Sequence, residues 1–326
     1  MNDIKHKILN LVKDDLSEIE VALEQNLNPH FDLVSQIAGH ILFSGGKRLR
    51  PLLMVLSARL CDYDGNYEKT FSTIFEYLHA ATLLHDDLVD EATLRRGKPV
   101  ANSIWGNAIA VLVGDFLLAR SLSIAAETKR PDVIKVVAEI TENMSQGEIH
   151  QLMKKGCIDL TEKEYMEIIR RKTAVLFQGT CRVGALISGV SKEKEDALAG
   201  YGFNLGIAFQ MVDDLLDYSQ DTPVLGKKVG ADLKEGKLTL PVIYSLKSAD
   251  EKDRIQMEKI IKDKDFSMED FETLIAFMKK YGGQTYTEKV AQKYVKNAKN
   301  ALETFKNSTN KEILLSIADY TLVRKV

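Results

Sequence analysis

Three aspartates lie close together in an otherwise apolar stretch, LLHDDLVDEA, as Asp86, Asp87 and Asp90. On an α-helix Asp86 and Asp90 share a face, whereas Asp87 lies about 100° away. Like charges at this spacing destabilise a helix, so a structural helix gains nothing from them. Aligned carboxylates suit Mg2+, which takes one or two of them together with waters and substrate phosphates. The motif alone indicates either a solvated acidic face or a magnesium site.

A second copy of the same spacing occurs in FQMVDDLLDY, which contains Asp213, Asp214 and Asp217. Leucine and valine flank these carboxylates, so a solvated face fits this stretch poorly. Two such helices facing one another would place carboxylates on opposite walls of a cavity. We expect cations to neutralise that arrangement and a polyanionic ligand to bring them there.

Basic residues suited to such a ligand accompany both motifs. In SGGKRLRP, Gly45 and Gly46 precede Lys47, Arg48 and Arg50 at a predicted helix start, where backbone amides and the helix dipole favour a phosphate. The other candidates are Arg95 and Arg96 after the first motif, Lys172 and Thr173 in RRKTA, and Lys227 and Lys237 in LGKKVGADLKEGK. Each of these alone is more typical of a surface charge. Together with two acidic motifs they indicate a site for two diphosphates.

The elements that carry these residues are predicted to be helical throughout. Apolar residues recur at three- and four-residue steps, the six prolines fall in gaps or first turns, and hairpin signals are nearly absent. We therefore predict one all-α domain spanning residues 1–326, with outer helices packed around wholly buried inner ones. The predicted helices are 4–24, 30–44, 50–61, 67–90, 100–127, 132–152, 161–188, 193–218, 232–247, 251–262, 267–282 and 284–307.

Composition narrows the class of protein. The chain has 326 residues, 45% of them hydrophobic, which permits a sizeable core, and a net charge of −3 gives no reason to expect nucleic acid. The three cysteines are far apart and read as reduced thiols of a cytosolic protein. The N-terminus lacks the apolar core of a signal peptide, and no apolar run of 18 residues occurs, so we expect no membrane-spanning segment and a cytoplasmic location.

In combination and order, GGKRLRP, HDDLVDEATLRRGKP, RRKTA, FQMVDDLLDY and GKKVGADLKEGK resemble the trans-isoprenyl diphosphate synthase (polyprenyl synthetase) family. The resemblance is greatest to long-chain members such as octaprenyl diphosphate synthase, which make quinone side chains. It implies a single bundle of long helices around a deep central cavity, usually in a homodimer. It further implies elongation of an allylic diphosphate by isopentenyl diphosphate, with Mg2+ as cofactor and diphosphate released.

The resemblance also implies a role for each motif residue. The metal ligands would be Asp86, Asp90 and Asp213, supported by Asp87, Asp214 and Asp217. The allylic diphosphate would be held by Arg95, Lys172, Thr173, Gln210, Lys227 and Lys237. The diphosphate of isopentenyl diphosphate would be held by Lys47, Arg50, His79 and Arg96, with Arg324 and Lys325 closing over it. Without the family, His79 would be read as a core histidine, although it lies two turns before Asp86 on the same face.

Chain length is expected to depend on the residues upstream of the first motif. One helical turn rises about 5.4 Å, comparable to one extended five-carbon unit. Short-chain relatives place bulky aromatic residues where this chain has Ala81 or Thr82, followed one and two turns upstream by Leu78 and Phe75. We therefore expect a product longer than farnesyl or geranylgeranyl diphosphate. A transient membrane contact would then serve its release.

Three alternatives are weighed against this interpretation. A terpene cyclase shares the first acidic motif but carries a different second one and needs no isopentenyl site. A di-iron bundle requires an E-x-x-H motif on each of two helices, whereas this sequence has one such motif, formed by Glu76 and His79. A non-catalytic subunit usually loses aspartates that this chain keeps, but the catalytic half of a heteromeric heptaprenyl synthase stays possible. Lys228 and Ala231 depart from the pattern of long-chain relatives and affect the expected geometry of that loop.

Overall fold

The computed structural model describes residues 2–218, 230–263 and 265–324, and the all-α prediction is confirmed there. The N-terminal half contains α1 (Asn2–Leu11), α2 (Lys13–Leu27), α3 (Asp32–Leu42), α4 (Leu49–Leu60), α5 (Glu68–Val89), α6 (Ala101–Trp105), α7 (Asn107–Glu127) and α8 (Pro131–Met153). The remainder contains α9 (Glu162–Ile169), a π-helical turn (Arg170–Ala174), α10 (Val175–Ile187), α11 (Lys192–Leu216), α12 (Ala231–Lys234), α13 (Leu240–Ser248), α14 (Glu251–Lys262), α15 (Met268–Lys280), α16 (Gly283–Ala301), a 3-10 turn (Leu302–Thr304) and α17 (Thr309–Val323).

The central helices α4, α5, α10 and α11 pack side by side, and the other helices surround them. Glycines allow two of these contacts to be very close. A Cβ on Gly184 of α10 would lie 2.7 Å from the Met54 carbonyl oxygen of α4, and one on Gly206 of α11 would lie 2.7 Å from Ala174 Cα. Real Cβ atoms do not approach other atoms so closely, so these glycines fix the distance between neighbouring helix axes. The second acidic motif is therefore held at a defined position against the π-helical turn.

Several predicted helices are interrupted in the structure. The predicted segment 4–24 divides at Val12, and 100–127 divides at Gly106, whose φ of 84° lies outside the helical region. The predicted segment 232–247 divides into α12 and α13 around Gly236, which also has a positive φ. Helix α17 was not predicted; Ser308 caps it by accepting a hydrogen bond from the Lys311 amide.

A small hairpin follows the first acidic motif, where the sequence predicts only a loop. Strands β1 (Leu94–Arg95) and β2 (Lys98–Pro99) pair antiparallel. Arg96 and Gly97 connect them, and both have a positive φ, 51° and 74°, as the tight two-residue turns of hairpins require. The two arginines have different partners: Arg95 donates to Asp87, and Arg96 donates to the carbonyl oxygen of Gly45.

Helix α7 is long and apolar enough to cross a membrane by length and composition alone, with a mean hydropathy of 1.8. Buried core helices of soluble proteins also meet this criterion, but only 39% of the apolar window of α7 is buried within this chain. Its exposed apolar side chains are Ile109, Val111, Leu112 and Leu122. The helix therefore has an apolar face that the chain itself does not cover.

Candidate active site

The first acidic motif ends α5, and its three carboxylates have different surroundings. Asp87 is only 2% exposed and accepts hydrogen bonds from Arg95, whose Nε and Nη2 lie 2.9 and 2.7 Å from Asp87 Oδ1. Asp86 and Asp90 are partly accessible and form ion pairs with Lys172 and Lys237 instead. The motif thus presents two carboxylates to the site and uses the third to hold an arginine.

Asp86 lies in a partly buried position beside both a cation and another carboxylate. Lys172 Nζ is 3.7 Å from Asp86 Oδ2, and the same ammonium group forms an ion pair with Glu148. Burial raises the pKa of Asp86 to about 6, with Lys172 opposing the shift and Glu148 adding to it. The surrounding protein therefore does not fully stabilise the negative charge of Asp86. A bound cation would do so, which suits this carboxylate to be a metal ligand.

Asp90 is held by residues that are distant in the sequence. Lys237 Nζ donates to Asp90 Oδ2 at 2.8 Å, and Lys155 Nζ lies 3.7 Å from Oδ1. Burial raises the pKa of Asp90, but the hydrogen bond and charge of Lys237 outweigh burial, so the net shift is downward. The buried Oδ1 accepts no hydrogen bond from the part of the chain that the structure describes. A carboxylate oxygen left this way is a fitting ligand for a hard cation.

A π-helical turn, Arg170–Ala174, joins the two acidic motifs. Such turns often occur at functional sites. Its Lys172 approaches Asp86, as described above, and the next residue, Thr173, donates a hydrogen bond of 2.8 Å to Gln210 Oε1. Gln210 Nε2 in turn donates to Asp214 Oδ1 at 2.8 Å. Two consecutive side chains of one turn therefore reach toward α5 and α11.

The turn is supported by a close approach of α8. A Cβ on Gly147 would lie 2.7 Å from the backbone nitrogen of Lys172, so only glycine fits there. The following residue on α8 is Glu148, the ion-pair partner of Lys172. Gly147 therefore allows the backbone of Lys172 to lie close to α8, and Glu148 orients the Lys172 side chain.

The three aspartates of the second motif also differ in their surroundings. The Asp213 side chain is 50% exposed, and its Oδ1 lies 3.4 Å from Arg324 Nη2. Asp214 is buried and accepts a hydrogen bond of 2.6 Å from the Tyr165 hydroxyl; burial, with added repulsion from Asp232, raises its pKa well above the usual range.

The last aspartate of the second motif has a backbone role. Asp217 accepts hydrogen bonds from the amides of Ala231 and Asp232, at 3.2 and 3.0 Å, at the start of α12. Asp217 therefore positions the segment that leads to Lys237. Lys227 and Lys228 lie outside the described residues, as does Lys325.

The predicted basic residues gather around His79, two turns before Asp86 on α5. Arg50 lies over the ring of Phe177, with the guanidinium carbon 5.0 Å from the ring centroid, and burial lowers its pKa to about 10. Lys47 is exposed above the ring of Tyr320, 5.9 Å from its centroid. Burial lowers the pKa of His79 well below its usual value, and the charge of Arg50 adds to this effect.

Some donor atoms of this basic group have no acceptor among the described residues. Arg96 donates to the carbonyl oxygen of Gly45, and burial and neighbouring arginines lower its pKa. The Nε atoms of Arg50 and Arg324 are buried and donate to no acceptor among the described residues. Cations that repel one another and retain unused donors form a site that an anion would relieve.

The predicted chain-length residues lie upstream of Asp86 on α5. Phe75, Leu78 and Ala81 are buried among apolar side chains, and Thr82 is partly exposed and donates to the His79 carbonyl oxygen at 2.9 Å. The apolar part of α5 thus continues directly from its acidic end.

Some residues of the site were not anticipated from the sequence. Glu148, Lys155 and Tyr165 contact Lys172, Asp90 and Asp214. Glu148 and Tyr165 belong to α8 and α9, whose sequences show only ordinary apolar periodicity, and Lys155 lies in the turn after α8. The only local signal is the glycine before Glu148, which marks a close approach of two backbones. Among the described residues no three histidine, cysteine or acidic side chains form a ready-made metal cluster.

Comparison with known proteins shows the family to which the chain belongs. The family model described as Polyprenyl synthetase matches residues 31–278. Octaprenyl diphosphate synthase of Escherichia coli (strain K12) is 36% identical over 318 residues, or 98% of each chain. Heptaprenyl diphosphate synthase component 2 of Bacillus subtilis (strain 168) is 35% identical over 100% of this chain and 92% of its own length. The solved polyprenyl synthase from Caulobacter crescentus CB15, complexed with calcium and isoprenyl diphosphate, has a TM-score of 0.92 at 36% identity and 98% coverage of each chain.

The fold and the paired acidic and basic sites define an enzyme that extends prenyl chains. The chain belongs to the polyprenyl synthetase family, and the resemblance noted in the sequence is confirmed. It is a trans-prenyltransferase, which excludes the terpene-cyclase and di-iron interpretations.

Proposed function

We propose that this enzyme elongates an allylic diphosphate with isopentenyl diphosphate, in the presence of Mg2+, to a long-chain all-trans polyprenyl diphosphate, octaprenyl diphosphate among the candidates. One observation carries the proposal: a single turn links the two acidic motifs, with Lys172 3.7 Å from Asp86 and Thr173 bonded through Gln210 to Asp214. Two carboxylate sites joined in this way suit one diphosphate with its cations between them.

Each side of the site is assigned by its charge. Asp86, Asp90 and Asp213 would ligate Mg2+, since they are partly accessible and Asp90 Oδ1 has no donor among the described residues. The allylic diphosphate would be held by Arg95, Lys172, Thr173, Gln210, Lys227 and Lys237. The diphosphate of isopentenyl diphosphate would be held by Lys47, Arg50, His79 and Arg96, closed over by Arg324 and Lys325.

The proposed steps follow from the roles assigned to these residues. When bound, Mg2+ supplies positive charge that neutralises the departing diphosphate. Lys172 and Arg95 add fixed charge where the leaving group develops its own, and they need no reorganisation during the reaction. Cleavage of the bond between carbon and diphosphate in the allylic substrate would leave an allylic cation against the apolar part of α5. The double bond of isopentenyl diphosphate would attack this cation, which forms the new carbon–carbon bond and moves the positive charge to the substituted carbon of the isopentenyl unit. The released diphosphate would take a proton from the carbon between that cation and the diphosphate-bearing carbon, and the double bond that forms makes the product an allylic diphosphate again.

The length of the product follows from α5. Ala81 and Thr82 are small, and Leu78 and Phe75 are buried one and two turns upstream. A growing chain that follows this helix would meet no large side chain in the first turn, which supports a product longer than geranylgeranyl diphosphate. We propose that this product is the precursor of a quinone side chain. The enzyme would be cytoplasmic, and a transient contact with a membrane would allow the product to leave it.

The uncovered apolar face of α7 favours a homodimer. The helix is 21 residues long, about 32 Å, and Leu112 on this face is 65% exposed. A second copy of the chain would cover it with an identical apolar face. A heteromer, in which this chain is the catalytic subunit, is the second candidate because of the similarity to component 2 of the Bacillus subtilis heptaprenyl synthase.

The test is product formation. The purified chain is incubated with farnesyl diphosphate, isopentenyl diphosphate and Mg2+, and the dephosphorylated products are separated by chromatography. A dominant product of roughly seven to nine isoprene units is expected, lost when EDTA is added. Products no longer than geranylgeranyl diphosphate would contradict the long-chain assignment. No elongation by the chain alone, but elongation in the presence of a second subunit, would replace the homodimer by the heteromer.

A further inference from the structure

Arg48 lies within the basic segment of the predicted isopentenyl site, but its side chain is turned into the protein. It is 6% exposed, whereas its neighbour Lys47 is exposed. Its Nε and Nη2 lie 2.6 and 3.2 Å from the two carboxylate oxygens of Glu20, and its Nη1 lies 2.9 Å from Glu76 Oε1. Its Nη2 also donates to the Leu42 carbonyl oxygen at 2.6 Å. All three guanidinium nitrogens are thus engaged by the protein.

These partners belong to different elements. Glu20 lies on α2, Leu42 ends α3, Glu76 lies on α5, and Arg48 itself is the residue before α4. A planar guanidinium with donors in a fixed fork holds such partners in one relative orientation. Arg48 also has a positive φ of 47°, a conformation that costs free energy in a non-glycine residue and persists where surrounding contacts impose it.

The adjoining glycine loop is held from two sides. A Cβ on Gly46 would lie 3.0 Å from Arg48 Nη1 and 3.6 Å from Arg96 Nη1, so the two guanidinium groups flank the glycine backbone. Arg96 donates to the carbonyl oxygen of Gly45. Lys47 and Arg50 leave this loop on either side of Arg48, so their positions depend on how the loop is held.

Glu76 links this arrangement to α5. It is buried, pairs with Arg48, and precedes His79 by three residues, so both lie on the same side of the helix. Its negative charge also acts on Arg50 and Arg96, in both cases favouring the charged arginine. One carboxylate therefore contacts one arginine directly and balances the charge of two others.

We propose that the ion pair between Arg48 and Glu76 is a positioning element of the isopentenyl diphosphate site: it contacts no substrate and fixes the glycine loop against α5. The inference rests on the proposed function, in which Lys47, Arg50, His79 and Arg96 bind that diphosphate. A merely electrostatic Glu76 would repel the substrate, and removing its charge would tighten binding. If Glu76 positions the loop, removing its charge should instead weaken substrate binding, because the loop is no longer held against α5.

The experiment compares substrate affinities in conservative variants. Arg48→Lys keeps the charge but not the fork, and Glu76→Gln keeps the shape but not the charge. Each should raise KM for isopentenyl diphosphate roughly tenfold, with kcat and KM for farnesyl diphosphate within about twofold. The double variant should show no more than the larger single effect, since both remove the same contact. A lower KM in Glu76→Gln, or additive effects, would overturn the proposal.

The matched control is Arg182→Lys. Arg182 forms a comparable ion pair of 2.7 Å with the largely buried Glu195, away from the site, and so reports a general loss of stability. Equal KM changes in Arg182→Lys and Arg48→Lys would overturn the positioning role. If Arg48→Lys does not fold, Glu20→Gln weakens the hydrogen bonds of the same guanidinium on its exposed side. An unchanged KM for isopentenyl diphosphate in Glu20→Gln would also overturn the proposal.

A failure of the substrate assignment looks different. Lys47→Ala and Arg96→Ala remove groups assigned to direct binding, and each should raise KM for isopentenyl diphosphate. If neither does, the assignment of this site is wrong and the positioning role falls with it. If both do while Arg48→Lys matches Arg182→Lys, only the positioning role is wrong.

Discussion

Asp87 and Arg95 form a two-point ion pair across eight residues of sequence, with Arg95 Nε 2.9 and 3.0 Å from the two carboxylate oxygens and Nη2 2.7 Å from Oδ1. The pair connects the end of α5 to the hairpin that follows it. The middle aspartate of the first motif is thus occupied by an arginine, while its neighbours Asp86 and Asp90 remain accessible to other ligands. The motif serves two purposes, since one carboxylate orients a cation and two face the site.

This division predicts different kinetics for neighbouring variants. Asp87→Asn loses the charge that orients Arg95, so we expect KM for farnesyl diphosphate to rise about tenfold with a smaller change in kcat. Asp86→Asn should instead lower kcat by roughly 10²–10³, because charge stabilisation of the leaving group is lost. Steady-state kinetics at several Mg2+ concentrations measure both. Asp196→Asn, on an exposed part of α11, is the control. Equal kinetic changes in the Asp86 and Asp87 variants would contradict the division.

Much of the fold follows from local patterns in the sequence. Apolar periodicity predicts helices, and the acidic and basic motifs predict opposite sides of one site, since each pattern spans only a few residues. The separation of roles within each motif does not follow in this way. Asp87, Asp214 and Asp217 differ from their neighbours only through Arg95, Tyr165 and the α12 amides, which come from distant segments.

The π-helical turn and the buried Arg48 illustrate the same limit. RRKTA has ordinary helical residues, and nothing within Arg170–Ala174 distinguishes a π-turn from an α-helix. Its geometry reflects the close approach of Gly147 and the hydrogen bond from Thr173 to Gln210. Likewise, SGGKRLRP offers three cations in four residues, and only packing against α2 and α5 removes Arg48 from the surface.

Product length is expected to respond to the first turn before the aspartates. Ala81→Phe places an aromatic ring at a buried position one turn upstream of Asp86, where it would block a chain that follows α5. We expect the dominant product to become shorter by several isoprene units, as measured by chromatography after dephosphorylation. Ala80→Phe is the matched control, since Ala80 is equally buried but points about 100° away. Equal product profiles in Ala81→Phe and the unmodified enzyme would exclude this path for the chain.

The exposed face of α7 gives a prediction about assembly. Leu112→Asp introduces a charge that a covered apolar interface would not accommodate, so we expect a homodimer to dissociate. Light scattering coupled to size exclusion should give half the mass of the unmodified protein. The control is Ile255→Asp on α14, where an isoleucine of similar exposure, 62%, is replaced. If the unmodified chain is already monomeric, the apolar face is left for a different subunit.

The raised pKa of Asp86 predicts that this residue lowers the free energy of unfolding of the metal-free enzyme in a pH-dependent way. Because burial raises this pKa from 3.8 to about 6, the folded state disfavours the charged carboxylate. Below about pH 4 both the folded and unfolded chains carry the proton, and Asp86 imposes no such cost; the cost then grows as pH rises to about 6 and stays constant above. Asp86→Asn removes the charge, while Lys172 keeps its pair with Glu148.

The variant should therefore be more stable than the unmodified protein at pH 7.5 by at most about 3 kcal/mol, since one pKa unit corresponds to about 1.4 kcal/mol. Urea unfolding in EDTA at pH 4, 5, 6 and 7.5 measures the difference, which should shrink toward zero at the lowest pH. Added Mg2+ with diphosphate should reverse the order, because it binds the charged form and stabilises only the unmodified protein. A difference independent of pH would mean that Asp86 is fully neutralised by Lys172 in the free enzyme.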